Sequence, residues 1–410
     1  SATTAILSGT ITPQGGAAAM YGTAYFFGGG GGTLFIQSAI VNSTHPAPNT
    51  LILSPGNAPL TLVLSGTTTY TGSTYIDGSA LIFDAPFSSS ILYLGEESSV
   101  GGYVGSTANA GYADSGTGPQ SFINRVEASS VGVIGFDYFA PNSPRVITGQ
   151  IDLSGFYYGP VYLGTATAVT FAGTIISGDN TFRFAGVKGG AVTVTSPSLT
   201  GANAVVIGAP QPMESFGSVS SVFLPTANSY TGGTTLNGGY LYVGNDLSLG
   251  TGDLAVPGPG NDGTGTIVGL APSGGDITLA NNLLVPFEGL HLNSASSPYT
   301  LTLTGQIGDI GPGPGNLVID GPVVLAGSNS FGYGGSVDVQ GTTLTVTNDY
   351  GVGGAWVNAA PGSTLTFTSA NPQMNGLSLD GSTADFTFDG GAPEMFGFSM
   401  SGGSTVNFAA

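Results

Sequence analysis

Short runs in which threonine alternates with valine, leucine or phenylalanine recur along the whole chain. An alternation with a period of two places every second side chain on one face, which is typical of a β-strand with one buried face. Glycine, proline, asparagine, aspartate or serine bounds each run, and these residues favour turns. Five such runs span residues 60–64, 191–195, 299–303, 343–346 and 363–367.

Helices have little support in this sequence. Glycine supplies 71 and proline 25 of the 410 residues, and few segments of helical length lack both. Because both residues disfavour helix interiors, the pattern predicts an all-β chain. Hydrophobic residues make up 40% of the chain, which is enough to form a large core. We therefore do not expect a disordered protein.

Three segments of the chain share a common pattern, at residues 60–83, 224–254 and 300–355. In each, a leucine precedes an aromatic residue by six positions, and a glycine-containing bend and further alternating residues follow. The leucine–aromatic pairs are Leu64 and Tyr70, Leu224 and Tyr230, and Leu325 and Phe331. A unit with one apolar face cannot bury that face alone, so the repeat favours units stacked in parallel as a solenoid.

The unit at 224–254 also predicts which leucines point into the stack. We assign Leu236 and Leu241 to the interior of the solenoid. An alternative stays open at Asn237-Gly238 and at Asp77-Gly78. Such dipeptides favour the tight turns of antiparallel hairpins.

The segment 228–239 reads Asn-Ser-Tyr-Thr-Gly-Gly-Thr-Thr-Leu-Asn-Gly-Gly and is followed by Leu241, Val243 and Gly-Asn-Asp at 244–246. This segment resembles the autotransporter-associated β-strand repeat, and the units at 60–83 and 300–355 resemble degenerate copies of it. The resemblance implies a right-handed parallel β-helix in an exported passenger or cell-surface protein of a Gram-negative bacterium. We therefore expect one elongated β-solenoid over residues 1–410, with loop excursions and room for an inserted β subregion at 84–222.

The location that we expect is extracellular or on the cell surface. The chain begins at Ser1, which we interpret as a mature N-terminus left by removal of a signal peptide. Cysteine is absent, which excludes disulfides and thiolate metal sites.

The charge of the chain argues against several classes of partner. Four lysines and arginines stand against 23 aspartates and glutamates, which gives a net charge of −19. We do not expect nucleic acid binding, because only Arg125, Arg145, Arg183 and Lys188 could neutralise phosphates. We do not expect membrane insertion either, because no apolar run reaches the ~18 residues of a membrane helix.

No combination of residues predicts a catalytic centre, so we expect neither an enzyme nor a cofactor. His45 and His291 are the only imidazoles. Asp114-Ser115-Gly116 is similar to the nucleophile tripeptide of chymotrypsin-like passenger proteases, but its surroundings are typical of a polar turn. A polysaccharide-active β-helix enzyme is a less favoured alternative. The carboxylates that it could use are Glu96, Glu97, Asp137, Asp152, Asp380, Asp385 and Asp389.

The sequence leaves two kinds of ligand as candidates. Calcium is a candidate because the turns at Asp262 and Asp380 offer hard oxygen atoms. Surface glycans are a candidate because aromatic residues cluster at 25–27, 136–139 and 156–158. Aromatic rows stacked inside a β-helix are the favoured interpretation of these clusters, and a glycan site is the alternative.

Both ends of the sequence are typical of apolar strands without charge. A solenoid exposes an unpaired strand edge at each end unless a cap covers it. We therefore predict head-to-tail self-association. The residues that we expect to carry it are Ile6, Leu7, Ile11, Val406 and Phe408. The favoured function is an exported structural protein that forms a fibre, filament or layer, and the alternative is an adhesin or glycan-binding passenger.

Overall fold

The computed structural model describes residues 4–13, 23–43, 48–56, 58–95, 101–156, 159–208, 220–257, 268–285, 289–293, 297–310, 313–330, 335–387 and 395–409. The chain divides into two compact units. Unit 1 comprises Ser1–Ser198 and Gly208–Ser221, and unit 2 comprises Leu199–Ile207 and Val222–Ala410. The sequence-based expectation of one solenoid with an inserted subregion at 84–222 stays a prediction.

The described residues of unit 1 form short strands, one turn of 3₁₀-helix (Ala108–Ala110) and one short helix, α1 (Gly118–Ile123). Its strands are β1 (Thr4–Leu7), β2 (Ala24–Gly28), β3 (Thr33–Ile36), β4 (Thr50–Ser54), β5 (Thr61–Leu64), β6 (Thr74–Ile76), β7 (Ala80–Phe83), β8 (Leu92–Leu94), β9 (Gly102–Ser106), β10 (Gly132–Phe136), β11 (Arg145–Ile147), β12 (Ile151–Asp152), β13 (Val161–Thr165), β14 (Ala168–Phe171), β15 (Ile175–Ile176), β16 (Thr181–Gly186) and β17 (Ala191–Val194). Within this unit the hydrogen-bonded orders are β1-β3-β5-β7-β9-β10-β13-β16, β2-β4-β6-β8, β11-β14-β17 and β12-β15.

Unit 2 is built in the same way, and its described residues hold no helix. Its strands are β18 (Thr200–Gly201), β19 (Ala204–Ile207), β20 (Ser221–Leu224), β21 (Ser229–Tyr230), β22 (Thr234–Leu236), β23 (Gly239–Val243), β24 (Leu254–Ala255), β25 (Val268–Pro272), β26 (Ile277–Leu279), β27 (Leu283–Val285), β28 (Leu290–Leu292), β29 (Leu301–Leu303), β30 (Ile307–Asp309), β31 (Asn316–Ile319), β32 (Val323–Leu325), β33 (Ser336–Val339), β34 (Thr343–Val346), β35 (Trp356–Ala359), β36 (Thr364–Phe367), β37 (Gly376–Asp380), β38 (Thr383–Thr387), β39 (Gly397–Ser401) and β40 (Thr405–Ala409). The orders within this unit are β19-β22-β24-β27-β30, β20-β23-β25-β28-β31-β33-β35-β37-β39, β26-β29-β32-β34-β36-β38-β40 and β18-β21.

Each strand pair whose register the structure describes is parallel. Consecutive strands such as β22 and β23 lie in different sheets and pair with the strands of the next turn, β24 and β25. The sequence-based prediction of an all-β parallel solenoid is therefore confirmed. The hairpin alternative is wrong at both dipeptides, because β6 and β7 likewise pair with β8 and β9 and not with each other.

The alternation of apolar and polar residues produces columns of stacked core side chains. One column in unit 2 runs through Leu303, Leu325, Val346, Phe367 and Phe386, which occupy matching positions on successive strands. All five are buried. Burial of each such side chain contributes about 1.5–3 kcal/mol to stability. The column shows that each turn covers the apolar face of its neighbour.

The interior positions predicted in the unit at 224–254 are confirmed. Leu236 and Leu241 are both fully buried, on β22 and β23. The intervening residues Thr235, Tyr240 and Tyr242 are only partly buried, as the period of two requires.

The Tyr-Thr-Gly segment of the repeat forms the same corner in both units. Tyr70 and Tyr230 are fully buried. The amide of Gly72 donates to the carbonyl of Asn49, and the amide of Gly232 donates to the carbonyl of Asn203. A Cβ at Gly72 would lie 2.1 Å from that carbonyl oxygen, and a Cβ at Gly232 would lie 2.6 Å from the corresponding one. The repeat therefore requires glycine here because the chain passes directly against the preceding turn.

Candidate functional sites

The N-terminal edge of unit 1 is strand β1. Among the residues that the structure describes, β1 pairs only with β3, so its outer backbone edge is unpaired. All four of its residues are exposed, and 63% of Ile6 is accessible to solvent. Leu7 is also exposed, whereas Ile11 follows the strand and is half-buried. The structure therefore brings Ile6 and Leu7 to an open sheet edge.

The C-terminal edge of unit 2 consists of β39 and β40, which we call the terminal rung. In the described structure, β39 pairs only with β37 and β40 pairs only with β38. The backbone edge of both strands is therefore open to solvent. This edge carries two of the residues predicted from the sequence, Val406 and Phe408.

Core columns of unit 2 continue into the terminal rung and end exposed there. Phe408 lies in register with the buried Phe386, and the ring centroids are 5.6 Å apart. Nevertheless 67% of Phe408 is exposed to solvent. Val406 lies in register with the buried Ala384 and is half-buried.

The sequence analysis did not identify two further residues of the terminal rung as candidates for self-association. Phe398 and Met400 lie in register with the buried Leu377 and Leu379, yet both are exposed, Phe398 by 52%. The signal that could have found them is the alternation in Gly-Phe-Ser-Met-Ser at 397–401, which has the period of a strand.

The candidate catalytic histidine and carboxylates that the structure describes each have hydrogen-bond partners within the fold. His291 on β28 contacts Asp320, with 2.7 Å between Nδ1 and Oδ2, and both side chains are partly exposed. Within the described ranges, no group of three or more His, Cys, Asp or Glu side chains could hold a metal ion. Asp380 accepts a hydrogen bond from Ser401 at 2.9 Å, and calcium there stays a prediction. His45, Glu96, Glu97, Asp262 and Asp389 lie outside the described residues.

The Asp-Ser-Gly tripeptide at 114–116 lies in a turn that holds a buried arginine. The carboxylate of Asp114 pairs with the guanidinium of Arg145 at 2.6 Å. Arg145 also donates to the backbone carbonyls of Ser106 and Tyr112, each at 2.8 Å. The guanidinium lies 5.2 Å from the ring centroid of Phe136. The tripeptide is therefore part of a structural network.

Asp137 is the most deeply buried of the candidate carboxylates that the structure describes, and it belongs to a hydrogen-bonded cluster. It accepts from the hydroxyl of Tyr103 at 2.6 Å, from Thr165 at 2.9 Å and from the amide of Ala166 at 2.8 Å. Burial raises the pKa of Asp137, while these hydrogen bonds oppose the increase. Burial and the nearby Asp137 carboxyl also raise the pKa of Tyr103. The cluster lies where Gly105 leaves room for it, since a Cβ there would clash with the carboxylate.

The aromatic clusters that are candidate glycan platforms divide between buried and partly exposed positions, and glycan binding by them stays a prediction. Tyr25 is buried and donates to the carbonyl of Val41 at 2.7 Å. Phe136 is buried, and Phe139 packs against the ring of Phe35. Phe26 is exposed, whereas residues 157 and 158 lie outside the described ranges.

A groove of about 260 Å³, which we call the corner groove, lies in unit 2 and is lined by exposed aromatic residues. Its lining residues are Asn329, Tyr350, Gly353, Gly354, Gln373, Met374, Asn375 and Phe396. Tyr350 is 55% exposed and Phe396 is 90% exposed. A second cavity of about 370 Å³ lies beside α1, where Gln120 already bonds both Asn124 and the backbone of Asp152.

None of the helices in the described ranges is long and apolar enough to cross a membrane. Comparison of the chain with protein-family models, with curated proteins and with solved structures finds no match.

Proposed function

We propose that this chain is a structural protein that a bacterium exports to its surface or to the extracellular space. Copies of the chain associate end to end and build a fibre, a filament or a layer. The parallel solenoid supports this role, because repeated backbone pairing gives a stiff scaffold that needs neither cysteine nor metal.

The observation that carries the proposal is the state of the core at the terminal rung. Phe398, Met400 and Phe408 have buried partners on the preceding turn and are themselves exposed. Exposed apolar side chains in one continuous surface mark interaction sites. The surface that would bury them best is another turn of the same kind, because it would continue both the columns and the backbone pairing.

The N-terminal edge of a second copy is the surface that we propose as this partner. Strand β1 presents an unpaired backbone edge and the exposed side chains of Ile6 and Leu7. Strand addition at an open edge provides main-chain hydrogen bonds, and the apolar side chains add burial. An end-to-end contact of two different surfaces does not close on itself, so it generates a linear polymer.

The test compares two substitutions on the same strand. Phe408→Asp places a charge where the column would continue, whereas Thr405→Asp places the same charge at another exposed position of β40. We expect the wild-type chain and Thr405→Asp to form polymers whose length grows with concentration, and Phe408→Asp to stay monomeric. Sedimentation velocity and electron microscopy measure this, and circular dichroism checks that each variant is folded.

A second variant tests the other edge. Deletion of residues 1–12 removes β1, and we expect a folded chain that no longer polymerises. The proposal fails if the wild-type chain stays monomeric at high concentration, or if both altered chains polymerise as the wild type does.

A further inference from the structure

The corner groove crosses successive turns of unit 2. Asn329 follows β32, Tyr350 follows β34, Gln373 and Asn375 precede β37, and Phe396 precedes β39. The chain segments that form the groove are thus about one turn apart in sequence. A ligand in the groove would contact several turns at once.

Asn375 is the residue that most points to a ligand. Only 5% of it is exposed, and its backbone is fixed by bonds to the carbonyl of Ala355 and from the amide of Phe396. Its side-chain amide has no hydrogen-bond partner among the described residues, although the residue lines the groove. Neither amide atom is fully enclosed, so the amide can bond a group that enters the groove without breaking a hydrogen bond to a described residue.

The neighbouring Asn329 provides a useful contrast. Its Oδ1 accepts from the amide of Ile307 at 2.7 Å, and its Nδ2 donates to the carbonyl of Gly351 at 2.5 Å. The side chain of Asn329 therefore bonds both the turn before its own and the turn after it. Its amide differs from that of Asn375, which is available to a ligand.

Two aromatic side chains stand at the same groove with much of their surface in water. The backbone of Tyr350 is fixed, because its amide donates to Asn348 and its carbonyl accepts from Asn329. Its ring is nevertheless more than half exposed, as is that of Phe396. Aromatic rings beside amide groups suit a sugar ring, which has apolar C–H faces and hydroxyl groups at its rim.

The charge of unit 2 decides which class of saccharide fits. All four lysines and arginines of the chain lie in unit 1, whereas unit 2 holds 13 aspartates and glutamates and no lysine or arginine. An acidic saccharide would meet repulsion here with no cation of this unit to offset it. The volume of about 260 Å³ is below the ~300–1,000 Å³ of sites for larger ligands. One ring of a chain is therefore the size that the groove accepts.

We propose that the corner groove binds one ring of a neutral polysaccharide chain. Tyr350 and Phe396 contact the apolar faces of the sugar, and the amide of Asn375 bonds its hydroxyl groups. Gln373 lies in the same lining and adds its Oε1 atom, since its Nε2 atom already donates to the carbonyl of Asn371 at 3.3 Å. The groove therefore gives the scaffold a means of holding a surface glycan, independently of end-to-end association.

The experiment uses cellotetraose and maltotetraose as neutral probes and tetragalacturonate as the acidic one, with isothermal titration calorimetry as the readout. Tyr350→Ala, Phe396→Ala and Asn375→Ala remove the proposed contacts. Tyr299→Ala is the matched control, because Tyr299 is an exposed tyrosine of unit 2 outside the groove. Each protein is also measured in the Phe408→Asp background, so that self-association does not alter the heats.

We expect at least one neutral probe to bind the wild-type chain and tetragalacturonate to bind much more weakly. Tyr350→Ala and Phe396→Ala should each weaken binding about tenfold. Asn375→Ala should weaken binding while the melting temperature stays unchanged, because no hydrogen bond within the protein is lost. Tyr299→Ala should bind as the wild type does.

Three results would overturn the proposal. The first is that neither neutral probe binds at millimolar concentration. The second is that tetragalacturonate binds as tightly as the neutral probes, or that binding survives all three groove substitutions. The third is that Phe396→Ala abolishes self-association and leaves probe binding intact, which would make the groove a contact between copies of the chain.

Discussion

The hydroxyl of the buried Tyr230 lies 2.5 Å from Oγ1 of Thr234, four residues further along the chain. Tyr70 has the same relationship to Thr74, at 2.6 Å. The two corners belong to different units, so the same tyrosine–threonine hydrogen bond forms in both. In unit 1 a third hydroxyl group joins this pair, because Oγ1 of Thr74 also lies 2.8 Å from the hydroxyl of Ser89.

The first prediction concerns these hydroxyl groups. Tyr70→Phe should lower the free energy of unfolding by about 1–2 kcal/mol, because Thr74 loses a buried partner. Tyr230→Phe should have a similar effect. Tyr240→Phe is the control, since Tyr240 is only partly buried and we expect a change below about 0.5 kcal/mol. Urea unfolding measures all three, and equal effects for buried and partly buried tyrosines would contradict the prediction.

The second prediction is a loss of stability in alkali. Burial raises the pKa of Tyr70 from its ordinary value of 10.0 to about 12. The folded state therefore holds this proton more tightly than the unfolded chain does. The resulting stability is fully present below pH 10 and is lost as the pH rises from about 10 to about 12. Urea midpoints across this range should fall less steeply for Tyr70→Phe, and identical slopes would show that Tyr70 does not contribute.

The third prediction compares two carboxylates. Asp137→Ala should lower the free energy of unfolding by more than about 3 kcal/mol, because Tyr103, Thr165 and the amide of Ala166 lose a shared buried acceptor. Asp179→Ala removes an exposed pair with Arg183 and should cost less than about 1 kcal/mol. Thermal unfolding measures both variants. A small effect of Asp137→Ala would mean that the cluster is open to water.

The fourth prediction tests the direction of side chains on one strand. Leu236→Asp buries an unpaired charge and should cost more than about 3 kcal/mol or prevent folding. Thr235→Asp, at the adjacent and only partly buried position, should cost much less. Melting temperatures and soluble yield provide the comparison. An unchanged melting temperature in Leu236→Asp would refute the assigned direction.

The fifth prediction concerns trypsin. Cleavage after Arg145 should be very slow in the native chain, because only 3% of its side chain is exposed and Asp114 holds it. Lys188 lies in the turn between β16 and β17 and should be the first point of cleavage. Mass spectrometry of the fragments measures the order, and the denatured chain serves as the control. Early cleavage after Arg145 would show that this segment opens readily.

The sequence allowed much of the fold to be predicted, for physical reasons. Alternation with a period of two fixed the inward positions of Leu236 and Leu241, because neighbouring side chains on a strand must point to opposite faces. The Tyr-Thr-Gly corner was recognisable in the sequence because the bend requires both residues. The hydroxyl of the tyrosine bonds the threonine four residues further on, and the glycine lies directly against the preceding turn.

The corner groove could not be predicted from the sequence. Tyr350, Asn375 and Phe396 are more than 20 residues apart in succession, and only the stacking of turns brings them to one lining. The aromatic cluster at 25–27 does not identify one surface, because adjacent residues of a strand face opposite ways, and glycan binding there stays a prediction. Tyr25 is buried while Phe26 is exposed, so such a cluster does not present one surface.

The uneven charge of the two units has a consequence for the conditions under which the chain could assemble. Unit 1 carries four cations against ten carboxylates, and unit 2 carries 13 carboxylates alone. End-to-end association therefore brings together two units whose net charges are both negative. At low ionic strength this repulsion slows every encounter, whereas at ~0.15 M salt it fades beyond about 8 Å. We therefore expect the chains to stay monomeric in dilute buffer and to associate end to end in a saline medium.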